Sequence, residues 1–435
     1  NTLASFFGFE NEDKLFKGVH NETKFGLLTI TGGRESVDEP WFTAHLRQPS
    51  EIEDKDRRYA LSIDEIEAIN PNTLNLPAFR WARDAKVTAA IHKSSQVLVR
   101  QSENGDSNPW GVTFQRMFDM ANDSDKFRDH KEIESLIVNQ SSLRAELENG
   151  EAFYPLYEGK MFWHFDHRYG TYLGQTQKQA NKGVLPRVTD ASHDDPHFRI
   201  ETAYWIDARL TDSALGDRRN DDFFFSWRDV GPSERTFVGT ILPKTAAGDA
   251  APIMFTNETG PARAALYALL SSLVIDYAAR QKSKRMKYFV VEQLPIQPPS
   301  VVAAECQWLG DTWENWLSAR VLELCYTSED LRPFAKDLGR DHPPFRWAPE
   351  RRPRLQAEID AAVMHLYNLT RDQAEWLIDS FAVLRKYEER DLQEFRTKEL
   401  VLEAYDAMQV AKLKGRVFQS LLVPPPADQG QCHAR

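Results

Sequence analysis

The sequence predicts a mixed α/β protein assembled from several units. Three observations predict it. Short aromatic and β-branched runs separated by Gly, Asn and Asp recur in residues 1–32 and 151–300. An apolar helical pattern runs through Ala262–Gln281. Helical periodicity then dominates residues 301–423.

Taken in order, Leu3–Phe9 and Lys24–Thr31 read as two short strands, punctuated by Gly18 and Asn21 and closed by Gly32-Gly33. Residues 34–58 are polar and charge-rich and read as a surface loop. Leu61–Ile69 reads as a short helix, with Ser62 as cap and Glu65 at capping-box spacing. Asp84–Ser94 is a second helix on Val87, Ala90 and Ile91. Phe114, Met117, Phe118 and Met120 are placed to form one buried helical face, a stripe that serves core packing more often than ligand binding. Phe223–Trp227 and Thr236–Leu242 read as strands. Ala262–Gln281 is one long helix on Leu266, Leu269, Leu270, Leu273, Val274 and Tyr277; a basic turn follows, then a strand at Tyr288–Glu292. Four more helices are expected at Trp308–Leu324, Glu350–Tyr367, Arg371–Ser380 and Leu384–Met408, with a break at Pro343-Pro344. Residues 424–435, Pro-rich and then polar, read as a disordered tail.

At 435 residues the chain has room for roughly two to four domains. No stretch approaches the run of apolar residues that spans a bilayer, so no membrane is expected. No basic apolar leader opens the chain; it begins with Asn1 and is expected to be a piece of a longer polypeptide. Cys306, Cys325 and Cys432 lie far apart, which fits a reducing cytoplasm and argues against a zinc ribbon or disulfide scaffold. The net charge is −11, an unpromising value for a nucleic-acid binder. Residues 151–300, however, balance 18 Lys and Arg against 18 Asp and Glu, so the acidic excess lies outside the middle third. A binding face needs local positive charge, not a positive total.

Four segments together carry a family signal: Phe9–Lys17 with Lys24–Ile30, Pro109–Asn122, Pro155–Tyr172 and Pro343–Trp347. In this order they resemble the carboxy-terminal half of type IIG-like adenine-specific DNA methyltransferases of restriction–modification and phage-defence systems. The resemblance implies a division into residues 1–58 (distal edge of the catalytic sheet), 59–150 (helical spacer), 151–300 (DNA target-recognition domain), 301–423 (helical end domain) and 424–435 (tail). It implies double-stranded DNA and an upstream methyltransferase domain as partners, with other defence-system subunits as further ones. S-adenosyl-L-methionine is implied for the full-length protein, with no cofactor expected on this chain.

The catalytic motifs are not found. Adenine methylation needs a small polar residue, two prolines and an aromatic that stacks on the flipped base. The nearest string, His342-Pro343-Pro344-Phe345, has the wrong first residue and reads as a turn. Phe7-Gly8-Phe9 lacks the second glycine of a cofactor loop. Glu158-Gly159-Lys160 matches half of a magnesium nuclease signature without its partner Asp. His164, Asp166 and His167, with His193, Asp194 and His197, are of metal-ligating types but lack a helix-spaced frame, so no metal is expected.

The strongest functional stretch is Lys160–Tyr172, where Lys160, His164, His167 and Arg168 interleave with Phe162, Trp163, Phe165, Tyr169 and Tyr172. Basic groups among aromatics suit phosphate contact and base stacking. The densest positive run is Arg280, Lys282, Lys284, Arg285 and Lys287, which a helix dipole alone would also explain. The DNA-binding candidates are therefore Lys160, His164, His167, Arg168, Tyr169, Arg187, Arg199, Arg228, Arg235, Arg280, Lys282, Lys284 and Arg285. Two other readings compete: a scaffold whose acidic terminal thirds dock protein partners, and a small hydrolase built on Glu158 and the histidine cluster.

Overall fold

The first sheet grows from the aromatic-rich start of the chain. In the computed structural model, which describes residues 2–33, 35, 37, 39–102 and 105–434, the strand Leu3–Glu10 pairs antiparallel with Lys24–Ile30. On its other side it pairs parallel with Trp41–Leu46, and Tyr59–Ala60 completes the four strands. The expected loop over 34–58 is thus corrected: it contains a strand, because Phe42, Ala44 and Leu46 bury their side chains. Among the described residues the outer strand Lys24–Ile30 pairs on one side only, and Leu27, Leu28 and Ile30 remain 55%, 62% and 59% exposed.

The helix Ile63–Ile69 starts where the capping box demands. The Glu65 amide donates to Ser62 Oγ at 3.2 Å, and the Ser62 amide donates to the Glu65 carboxylate at 3.1 Å. The helix Ala82–Ser94 follows and buries Val87 and Ile91 in the main core.

Residues 113–147, expected in a helical spacer, instead supply strands to the two middle sheets. One sheet runs Arg128–Asp129, Tyr204–Asp207, Ala152–Tyr157, Arg144–Leu147, Ile137–Ser141, with Ala246–Ala247 added parallel to Ala152–Tyr157. The other runs Gly239–Pro243, Phe223–Trp227, Ile253–Phe255, Thr113–Gln115. The Phe114–Met120 stripe is therefore not helical. Phe114 pairs with Met254 at a sheet edge, and the Phe118 amide reaches the Ala247 carbonyl at 3.1 Å.

The expected helix Ala262–Gln281 is two helices, Gly260–Ser271 and Leu273–Lys282, bent by 55°. Ser272 takes an extended conformation and caps the second helix through its hydroxyl. Asp360, from another helix, accepts the Leu273 amide at 2.7 Å. Burial pushes the Asp360 carboxyl up to about 7. Among the described residues no single helix is long and apolar enough to cross a membrane; this bent pair passes by composition, but its apolar residues are buried in the core. Tyr288–Val291, expected as a strand, is a helical turn closed on the Lys287 carbonyl.

The helical part comprises Trp313–Cys325, Arg332–Asp337, Arg352–Leu366, Arg371–Asp379, Ala382–Leu392 and Arg396–Leu413. The single helix expected over Leu384–Met408 breaks at Gln393, which adopts a left-handed conformation. The tail is not disordered up to Ala434. Cys432 bridges to Phe345, the Arg346 amide donates to the Gln431 carbonyl at 2.8 Å, and the Ala427 amide donates to Glu323 at 2.8 Å.

One apolar core runs continuously from Val87 through both helices of the bent pair to Cys432. Inside it lies an ion pair: Arg320 donates to Glu358 at 2.6 and 2.9 Å, and Glu358 also accepts Ser420 Oγ and the Leu421 amide. Removing one member of a buried pair leaves the other uncompensated, so Arg320→Leu is expected to cost about 3–5 kcal/mol, read as a lowered urea midpoint.

Candidate nucleic-acid interface

The segment Lys160–Tyr172 is a coiled loop beyond the strand Ala152–Tyr157, not a strand with a wet face. It turns at a short 3-10 segment, Gly159–Met161, then folds back through a Trp163–Asp166 bridge, with Phe165 at φ 57°. The Arg168 amide donates to Asp166 Oδ1 at 2.9 Å, which fixes the reversal.

This fold divides the candidates sharply. Arg168 is 1% exposed, and its guanidinium donates to the carbonyls of Asp195, Phe198, His193 and Thr327 at 2.7–3.1 Å. It is a structural clamp and has no access to a phosphate. His164 and His167 are 3% and 2% exposed, so they too are corrected from surface contacts to interior groups. Burial holds the His164 ring well below its ordinary pKa and His167 at about 3, and nearby arginines add to both shifts. Asp166 accepts His193 Nε2 at 3.1 Å; burial opposes its charge, but the His193 bond and Arg352 keep the carboxyl below the usual range. His193 stacks on Trp347 at 3.9 Å, and Arg352 lies over the same indole. The two histidine clusters thus meet only through this pair, and no group of three His, Cys, Asp or Glu side chains among the described residues is arranged for a metal.

Other candidates are committed elsewhere. Lys160 pairs with Glu158 at 3.1 Å and lies over Tyr172, whose hydroxyl donates to the same carboxylate at 2.7 Å. Arg199 pairs with Asp330 at 3.3 Å. Arg235 pairs with Asp276, while Arg280 donates to the Ser380 carbonyl at 2.8 Å; both guanidiniums flank the buried Phe381 ring. Lys282 is drawn inward and donates to the Ile69 carbonyl and Asn70 Oδ1 at 2.6 and 2.8 Å.

Three candidates assemble on the surface. Trp163 and Tyr169 stack with centroids 5.1 Å apart and planes 22° from parallel. Arg228 lies 4.9 Å from the Trp163 ring centre and 5.6 Å from that of Tyr169, anchored by donation to the Phe162 carbonyl. Arg187 lies 5.0 Å from the Tyr169 ring centre, held there by the Gly170–Arg187 bridge. Burial lowers the Arg228 guanidinium to about 10, still charged at neutral pH. Arg187 is exposed and forms no ion pair with a carboxylate among the described residues. Lys284 and Arg285 are likewise exposed, and Arg285 bridges to Val230, two residues beyond Arg228. Trp163 belongs to the aromatic stretch without being one of the sequence-derived candidates; its type and its position between basic residues are the signal that points to it.

A cleft of about 870 Å³, with Asp56 and Glu65 also in its lining, lies where the Ala82–Ser94 helix faces Asp372 and Trp376. Lys55, Arg58, Arg83 and Lys86 line it with the Trp81 and Trp376 indoles. Arg83 pairs there with Asp372 and lies 4.7 Å from the Trp376 ring centre.

The catalytic strings do not fit the cofactor or the flipped base. Gly8 pairs with Gly26 in mid-strand and makes no turn that could cradle S-adenosyl-L-methionine. Phe345 is fully buried, and His342 Nδ1 faces its neighbour Pro343 carbonyl at 2.8 Å. Comparison of the sequence with protein-family models and with curated proteins returns no match.

Buried neutral histidines carry a pH signature. A histidine whose folded pKa is depressed costs nothing above its unfolded value and destabilises progressively as pH falls below it. For His167 that window runs from about 6.5 down to about 3. His167→Gln is expected to flatten the fall in urea midpoint between pH 6.5 and 4 relative to the parent chain.

Proposed function

We propose that this chain is the DNA sequence-recognition portion of an adenine N6 DNA methyltransferase of a restriction–modification or phage-defence system, with the catalytic motifs upstream of it. The ordered resemblance of the four segments motivates the reading. The observation that carries it is the Trp163–Tyr169 stack held between Arg228 and Arg187. Flat rings beside cations that form no ion pair with a carboxylate among the described residues suit a polyanion with stacking bases.

In this reading Arg187, Lys284 and Arg285 meet phosphates and set the register of the duplex. Arg228 and the two rings lie nearest to base edges or an unstacked base. The chain itself holds no methyl donor, and its part is to grip, read and orient DNA. The upstream domain binds S-adenosyl-L-methionine and supplies the methyl group.

A scaffold reading has one observation of its own, the exposed apolar strand at Leu27, Leu28 and Ile30. Salt separates the two, because phosphate contacts release counterions and apolar docking does not.

Point variants test this better than removal of residues 151–300, since the bent helix pair inside that range is part of the common core. The double variant Arg187→Ala/Arg285→Ala is expected to bind duplex DNA more weakly and to lower the salt slope by about 0.9 for each phosphate it no longer neutralises. In cells carrying the full-length gene, Trp163→Ala is expected to erase or relax the methylated adenine motif. Unchanged DNA affinity and salt slope in the double variant would put the scaffold reading first.

A further inference from the structure

A cavity of about 360 Å³ lies between the end of the Ile63–Ile69 helix, the Ala82–Ser94 helix and the end of the Leu273–Lys282 helix. That volume falls within the range of about 300–1,000 Å³ typical of small-molecule pockets. Its walls divide by chemistry. Leu76, Phe79 and Phe289 make an apolar side, and His92, Gln281 and Lys282 a polar one. Among the described residues no carboxylate lines it.

Two groups there, the buried His92 and the part-buried Lys282, lack what they need. His92 is 3% exposed, and neither ring nitrogen has a hydrogen-bond partner among the described residues. The Ala68 carbonyl favours the protonated ring but lies outside hydrogen-bond geometry. A buried imidazole with both nitrogens unmet is rare in a native interior and calls for a partner. Lys282 spends two donors on the Ile69 carbonyl and Asn70 Oδ1, and its ammonium form keeps a third. Desolvation alone pushes this amine down to about 7, the response of a cation drawn from water with no counter-charge beside it.

We propose that this cavity is a binding site for a small organic anion, a carboxylate or a phosphate ester. Its charge meets Lys282 and His92, and its apolar body packs on Leu76, Phe79 and Phe289. The occupant supplies the counter-charge that the protein omits and ties the Ile63–Ile69 helix to the Ala82–Ser94 helix and the bent pair. This inference is independent of DNA reading.

The intact chain is titrated calorimetrically with benzoate, phenyl phosphate and inorganic phosphate. The carboxylate and phosphate-ester arms distinguish the two sources of charge, and inorganic phosphate lacks the apolar body. At least one ring-bearing anion is expected to saturate a single site, with inorganic phosphate at least about tenfold weaker. Gln281→Glu places a like charge on the wall and is expected to weaken that anion about tenfold. Lys282→Met is expected to abolish its binding. Because Lys282→Met also removes two bonds to the preceding helix end, Gln281→Glu decides the matter if that variant does not fold. No saturable binding of either organic anion, equal binding of inorganic phosphate, or undiminished binding in Gln281→Glu would overturn the proposal.

Discussion

The surface stack depends on a cation that never reaches the surface. The Arg168 guanidinium is desolvated, and the cost of such burial falls with each donor that finds an acceptor. Four backbone carbonyls meet its two terminal nitrogens, while Nε has no hydrogen-bond partner among the described residues. The carbonyls come from two places: residues 193–198, and Thr327 just past the Trp313–Cys325 helix. One side chain thereby pins the loop to both. Arg352 repeats the device from the other side, donating to the Leu324 and Phe165 carbonyls at 2.7 and 3.1 Å. Trp163 and Tyr169 project from a loop whose interior is fixed at both ends. Their rings are oriented before any partner arrives, which reduces the ordering cost of association.

The same arrangement explains how an acidic chain can show positive charge. Many of its arginines are spent inside on backbone oxygens or single carboxylates, as with Arg168, Arg199, Arg235 and Arg320. Other cations, Arg187, Lys284 and Arg285 among them, reach solvent with no ion pair to a carboxylate among the described residues. The total of −11 describes the chain but not this face.

What was legible in the sequence was local. The Ser62–Glu65 box, the Leu3–Glu10 hairpin and the helices near residues 313–379 are encoded within a few residues of where they form. What was not legible required a distant partner. Ser272 ends a helix in the middle of an apolar run because Asp360 is waiting for the Leu273 amide. Phe114 joins a strand because Ile253–Phe255 offers an edge. The final residues are ordered because Glu323 and Phe345 hold them. The basic and aromatic stretch of the candidate site was legible as a region, but its contacts were not. Arginine has the same letter whether it clamps carbonyls, as Arg168 does, or flanks a half-buried ring from the solvent side, as Arg187 does. Burial distinguishes the two, and burial is a property of the packed chain.

The strand Lys24–Ile30 has one further consequence. Its outer edge presents unpaired amides and carbonyls beside Leu27, Leu28 and Ile30 among the described residues. Such an edge is a template for any extended segment, a second copy included. Lys24 guards one end with its charge, although that charge is partly spent on Glu10 at 3.3 Å. Neither a proline nor a bulge blocks the stretch from Gly26 to Leu28, whose register against Leu3–Glu10 is regular. Unless that edge is covered, colloidal stability falls as concentration rises, through strand-to-strand association that leaves the rest of the fold intact.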